Sequence, residues 1–170
     1  MTTTEALLFL GLMVFMIVTQ VGRKPLSLVR LLRPLLISLG VTAFTVHGVD
    51  FSGGAGLLIS LGVALGAVFG VLAASQMRIE WQGDTPYSTA GWTYALVWVV
   101  SMGGRVLFGL LVSHPGAVQD AVVRFSMHHH ILGATAWTTA FILMTVTEIG
   151  LRTLLVLARS RRRVPHPAIA

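Results

Sequence analysis

Hydrophobic positions along this chain come in long unbroken runs, not in the short periodic stretches of a soluble fold. Five runs stand out, at about residues 5–22, 28–48, 54–77, 92–112 and 131–158. About 20 consecutive apolar residues suffice to cross the hydrocarbon core of a bilayer, so each run predicts one spanning helix. The first is closed by Arg23, Lys24 and Pro25. A cleaved signal peptide competes for that run, but the positive charge follows the apolar stretch instead of preceding it and no small-x-small cleavage site appears, so the helix is expected to stay. The last run, at about 28 residues, is longer than a crossing needs, which predicts tilt or protrusion.

Polar positions are concentrated between the runs. Residues 78–91, RIEWQGDTPYSTAG, alternate Ile79 and Trp81 with Glu80 and Gln82 before Gly83 and Asp84, the pattern of a short interfacial hairpin. Residues 113–120 read as a turn, and residues 121–130 either begin the last helix early or form a short interfacial helix of their own. The expected fold is all-α: an integral membrane bundle of about five transmembrane helices, with a polar hairpin-like insert between helices 3 and 4. One domain over residues 1–160 and a disordered basic tail at 161–170 complete it.

Composition supports this class. Of 170 residues, 55% are hydrophobic and 11% charged, which leaves no room for a separate soluble catalytic domain. The absence of cysteine removes thiol exchange, thiolate metal sites and a cysteine nucleophile. The net charge of +6 would suggest nucleic acid in a soluble chain, but its location argues otherwise. With five spans, Arg23, Lys24, Arg30, Arg33, Arg78, Arg152, Arg159 and Arg161 to Arg163 fall on one side, ten of the twelve basic residues. The positive-inside rule makes that side cytoplasmic. The expectation is a multi-pass cell-membrane protein, N-terminus outside and C-terminus cytoplasmic, whose arginine tail meets anionic lipid headgroups and not nucleic acid.

That orientation gathers His47, His114, His128, His129 and His130 with Asp50 and Asp120 at the outer pole. Neutral imidazoles beside carboxylates are what a metal ion or an axially ligated haem requires, and His47, His114 and His130 are the candidate ligands. Consecutive histidines on a helix point about 100° apart, and histidines also gather at interfaces as amphipathic residues, so the pattern leaves both readings open.

Within the spans, ionisable residues cost several kcal/mol unless paired or facing a cavity. Arg105 shares a small, polar helical face with Trp98, Ser101 and Gly109, which aims it into the bundle. It needs an anion, from Asp50, Asp120 or a bound ligand. Glu148 lies on a stripe of His130, Ala134, Trp137, Phe141, Thr145 and Arg152. Either it pairs with Arg152 one turn away, or it lines a cavity and carries a proton. Gly62, Gly66 and Gly70 recur every four residues, a surface for close helix packing within the chain or in a homo-oligomer.

The string Arg23, Lys24, Pro25, Leu26, Ser27, then Arg33, Pro34 and Ser38, Leu39, Gly40, followed by Glu80, Gly83, Asp84, Tyr87 and the inward Arg105, resembles the CcdC-like family of small polytopic membrane proteins. The resemblance covers about residues 20–115. It implies an association with cytochrome c biogenesis, and since that family carries no established catalytic residues, it assigns no role to any residue here.

Two functional classes follow. One is a non-enzymatic accessory or ligand-binding bundle that handles haem, a metal or a lipid, with Arg105, Trp98, Trp137 and Phe141 around a hydrophobic small molecule. The other is an intramembrane enzyme acting on an isoprenoid or lipid by proton-initiated chemistry, with Glu148 or Asp50 as general acid. No aspartate-rich diphosphate motif or phosphate-binding glycine loop is present to support metal-dependent ionisation.

Overall fold

The computed structural model describes residues 22–25, 27–45, 54–82, 85–131 and 133–161. Residues 5–21 of the first run, His47, Asp50 and all but Arg161 of the basic tail lie outside them. The described residues form β1 (Gly22–Pro25), α1 (Leu28–Thr45), α2 (Gly54–Gln76), β2 (Met77–Gln82), β3 (Thr85–Ala90), α3 (Trp92–Ser113), α4 (Ala117–His128) and α5 (Ala134–Arg161). Helix dominates, as expected. Three helices, α2, α3 and α5, are long and apolar enough to cross a membrane. In α1 the comparable apolar stretch is shorter, Leu32–Ala43. Residues 117–128 are a helix of their own, so of the two readings of residues 121–130 the separate helix holds, while the turn expected over 113–120 shrinks to 114–116 because 117–120 are the first turn of that helix.

The closest packing is between α2 and α5. A Cβ built on Gly62 would lie 2.6 Å from the carbonyl oxygen of Ala140, one on Gly66 would lie 2.3 Å from that of Met144, and one on Gly70 would lie 2.8 Å from that of Glu148. Only glycine permits backbones this close. Because the contacts advance in step along both helices, α2 and α5 run parallel. The glycine ladder is thus spent inside the chain. Ala55 and Leu58 of α2 extend the seam against Ala136 and Ala140 of α5 and Ile131 just before it.

Helix α3 runs the other way, with Tyr94 at the level of Arg152 and Phe108 at the level of Phe141. Between α2 and α3 the predicted hairpin is present, Met77 facing Ala90 and Gln82 facing Thr85. What the hydropathy pattern missed is the third strand. Residues 22–25, read as the end of the first helix, pair with β3 from Gly22 opposite Ala90 to Pro25 opposite Tyr87, giving the order β1-β3-β2. Pro86 in the central strand cannot donate to a ladder, and it lies just beyond the last β1 pair, where β3 has β2 alone.

These contacts sort the molecule into two poles. At one are the sheet, the C-terminal ends of α2 and α5, Arg78, Arg152, Arg159 and Arg161. There Arg159 Nη1 donates to the carbonyl of Ala74 at 2.8 Å, satisfying an acceptor in the open last turn of α2. At the other pole are the starts of α2 and α5, the end of α3, and α4 with His128 to His130. Gly54 touches the backbone of His129 there.

A contrast between glycines tests the seam. Gly66→Ala drives a methyl into the Met144 carbonyl and should lower stability by about 1–3 kcal/mol. Gly103→Ala, where a Cβ meets nothing within 4 Å, should be neutral or stabilising by up to about 1 kcal/mol. Thermal unfolding of the two purified variants decides it; equal Tm values would show that the seam is not close-packed.

Candidate functional site

Helix α5 meets three helices: besides α2 and α3 it packs on α1, where a Cβ on Gly150 would lie 3.5 Å from Leu35 Cδ1. Its small stripe meets α2, and the adjacent stripe of Trp137, Phe141, Thr145, Glu148 and Arg152 faces α3. Across that second interface Arg105 meets Glu148. The guanidinium Nη2 donates to Glu148 Oε2 in a direct ion pair, with the side chains 12% and 6% exposed. Nη2 also donates to Ser101 Oγ at 3.1 Å, and Nη1 donates to Thr145 Oγ1 at 2.7 Å. Ser101 Oγ donates a hydrogen bond to Glu148 Oε2 at 2.8 Å, and Thr145 Oγ1 donates one to the Phe141 carbonyl at 2.9 Å. Each hydroxyl therefore accepts from the arginine and donates onward. Arg105 Nε is buried without a hydrogen-bond partner among the described residues.

This arrangement confirms an inward Arg105 and corrects two pairings. The anion for Arg105 is neither Asp50, which lies outside the described residues, nor Asp120, which is exposed on the first turn of α4; it is Glu148. Glu148 in turn does not use Arg152. That arginine donates to the hydroxyl of Tyr94 and sits 6.0 Å from the centroid of its ring. Residues four apart are neighbours on one helix, but here each finds a partner on the facing helix instead, Glu148 in Arg105 and Arg152 in Tyr94. Tyr94 gave no polar signal in a run dominated by Val, Leu and Trp, and it is among the most buried side chains, 1% exposed.

Above the pair lies a cleft of about 770 Å³ between α2, α3, α4 and α5. Arg105 and Ser101 are at its floor; Leu58, Leu65, Phe69, Val100 and Val122 form apolar walls. Phe108, Trp137 and Phe141 close one side as a ring cluster with 5.4 Å between neighbouring centroids. Of the residues expected around a ligand, Arg105, Trp137 and Phe141 come together here. Trp98 is partly buried and lines neither this cleft nor its neighbour.

The histidine pole holds a looser arrangement. His114 Nδ1 donates to the Leu110 carbonyl at 2.9 Å, and His129 packs on Phe125 with 4.5 Å between ring centroids. Among the described residues no three His, Asp or Glu side chains come close enough together to hold a metal ion.

The ion pair is testable as a unit. Arg105→Leu or Glu148→Leu alone leaves an uncompensated buried charge and should cost about 3–5 kcal/mol. The double variant should recover most of that loss. A double-mutant cycle on thermal unfolding reads the coupling, and additive losses would mean that the pair is not formed.

Compared with protein-family models, curated proteins and solved structures, the chain matches none of them.

Proposed function

We propose that this chain is a multi-pass cell-membrane protein, N-terminus outside and C-terminus cytoplasmic, that works as a non-enzymatic bundle binding a hydrophobic small molecule in the cleft above Arg105. The observation that carries this reading is the cleft itself. A space of drug-like volume, apolar on its walls and polar only at an internally neutralised floor, is the usual form of a small-molecule site. From Leu58 to Phe69 it follows α2 for about 16 Å, half the thickness of a hydrocarbon core of about 30 Å.

Several features support the membrane part. Leu57, Leu61, Leu96, Leu107 and Leu154 are exposed on the helices that are long enough to span. Trp92, 78% exposed, and Trp81 stand at the arginine-rich pole, where an aromatic belt and cytoplasmic basic residues belong. A lipid suits the cleft better than haem, because its lining contributes no histidine as an axial ligand. The likeness to CcdC-like proteins enters only as far as a small polytopic accessory protein. Glu148 is engaged by Arg105 and Ser101, so a role as general acid would require it to leave both.

Two experiments test the proposal. Gly104 lines the cleft, and a Cβ there meets nothing within 4 Å, so Gly104→Leu fills the space without disturbing the backbone. Native mass spectrometry should find co-purified lipid on the wild-type chain and at least tenfold less on that variant; equal occupancy removes the cleft as the site. For orientation, the absence of native cysteine makes single-cysteine labelling clean. Gln82→Cys should react with an impermeant maleimide only from the cytoplasmic face and His128→Cys only from outside.

A further inference from the structure

A second cleft, of about 710 Å³, lies on the other side of α4 at the histidine pole. It shares the wall of Phe108, Val122, Trp137 and Phe141 with the Arg105 cleft, but its rim differs. No Lys, Arg, Asp or Glu lines it, and its polar groups are Ser113, Ser126, His130 and Thr138. Ser113 and Thr138 spend their protons on the carbonyls of Leu110 and Ala134. Ser126 differs from these two. It accepts from Trp137 Nε1 at 3.1 Å, while its own hydroxyl proton has no acceptor among the described residues. The tryptophan thus occupies the acceptor side of the serine and leaves a donor for something else.

His130 is the other donor. Its backbone N–H bonds to the Met127 carbonyl at 3.3 Å, and that of Ile131 bonds to the Ser126 carbonyl at 2.8 Å. This is the doubly bonded helix end in which the residue after the cap adopts the left-handed conformation, and glycine usually occupies it. Here histidine does, at φ +53°; it is one of the few residues besides glycine that enter this region with any frequency. Among the three consecutive histidines only this one lines the cleft, and its ring has no hydrogen-bond partner among the described residues. The side chain is exposed at the cleft, so its ring is open to a ligand there.

The lining specifies that ligand. With no cation present, a phosphate or carboxylate head has nothing to neutralise it. Two hydrogen-bond donors call for an acceptor oxygen, and the stacked wall of Trp137 on Phe108, with Met127 in the same lining, suits a flat ring. Leu107, Leu111 and Val123, exposed along α3 and α4, leave an apolar path for a tail. We propose that this cleft binds the ring of an uncharged prenylated quinone, with a ring carbonyl accepting from Ser126 and His130. The site rests on the membrane reading but is separate from the Arg105 cleft.

The test is a titration of the full-length chain in nanodiscs with menaquinone-4, read by tryptophan quenching. Geranylgeraniol, which has a prenyl tail but no ring carbonyl, serves as the comparison in competition. Saturable one-to-one binding that geranylgeraniol does not displace is expected. Ser126→Ala should weaken it about fivefold, the effect of one neutral hydrogen bond, and Ser126→Thr should restore it. His130→Gly should weaken binding by a similar factor while Tm holds or rises, because glycine relieves the backbone. Gly104→Leu, which fills only the neighbouring cleft, should leave quinone affinity unchanged; loss of affinity there would move the quinone to the Arg105 cleft and overturn this assignment. Absence of saturable binding, equal displacement by geranylgeraniol, or full affinity in both Ser126→Ala and His130→Gly would also overturn it. Should a variant fail to fold, the comparison of the two probes on the wild-type chain still decides.

Discussion

The rest of the structure depends on the backbone contact between α2 and α5. Once Gly62, Gly66 and Gly70 rest on the carbonyls of Ala140, Met144 and Glu148, the rotation of α5 about its own axis is fixed. The stripe that remains for α3 is then Trp137, Phe141, Thr145, Glu148 and Arg152, and it supplies the share of the candidate site that α5 contributes. A side chain at Gly66 would do more than lose packing, since it would turn the helix that presents Glu148 to Arg105. Packing and electrostatics meet at one residue pair, because Gly70 touches the backbone of the same Glu148 whose carboxylate holds the arginine.

Much of this was legible along the chain, for identifiable reasons. Helix existence follows from long apolar runs, and the hairpin follows from Ile79 and Trp81 alternating with Glu80 and Gln82, because both signals are local. The inward direction of Arg105 was readable too, since a charge within an apolar helix has few places to go. Its partner was not. The i, i+4 spacing of Glu148 and Arg152 is a local signal that competes with every carboxylate and arginine on other helices, and only the packing of α5 shows that the two residues serve different partners on α3. Strand β1 was missed for the complementary reason. Four residues, Gly22 to Pro25, carry no alternation of their own, and their pairing is decided by β3, which lies more than 60 residues away.

A buried arginine and glutamate contribute little net stability when compared with a well-packed apolar pair, because both must be desolvated. What the pair contributes here is definition. Ser101 and Thr145 each accept from Arg105 and donate onward, so the network fixes the register of α3 against α5 where Leu and Val faces alone would slide. It also sets the chemistry of the cleft above it. A floor whose charges cancel internally offers no net charge to an anionic or cationic head, which favours uncharged molecules in that cleft.

The two clefts are therefore variations on one wall. Phe108, Trp137 and Phe141 separate them, and α4, with none of its own residues fully buried, spans the division from above. On the Arg105 side the charges are paired with one another and only Arg105 Nε is left over from that network, so shape and apolar area chiefly govern what enters. On the His130 side the same tryptophan that stacks on Phe108 also donates to Ser126, which leaves a hydroxyl proton with no acceptor among the described residues. Trp137 thereby links the two sites: its ring shapes both spaces, and its N–H decides that one of them keeps a hydrogen-bond donor. A change at Trp137 cannot be confined to either cleft, whereas Gly104 and His130 each belong to one.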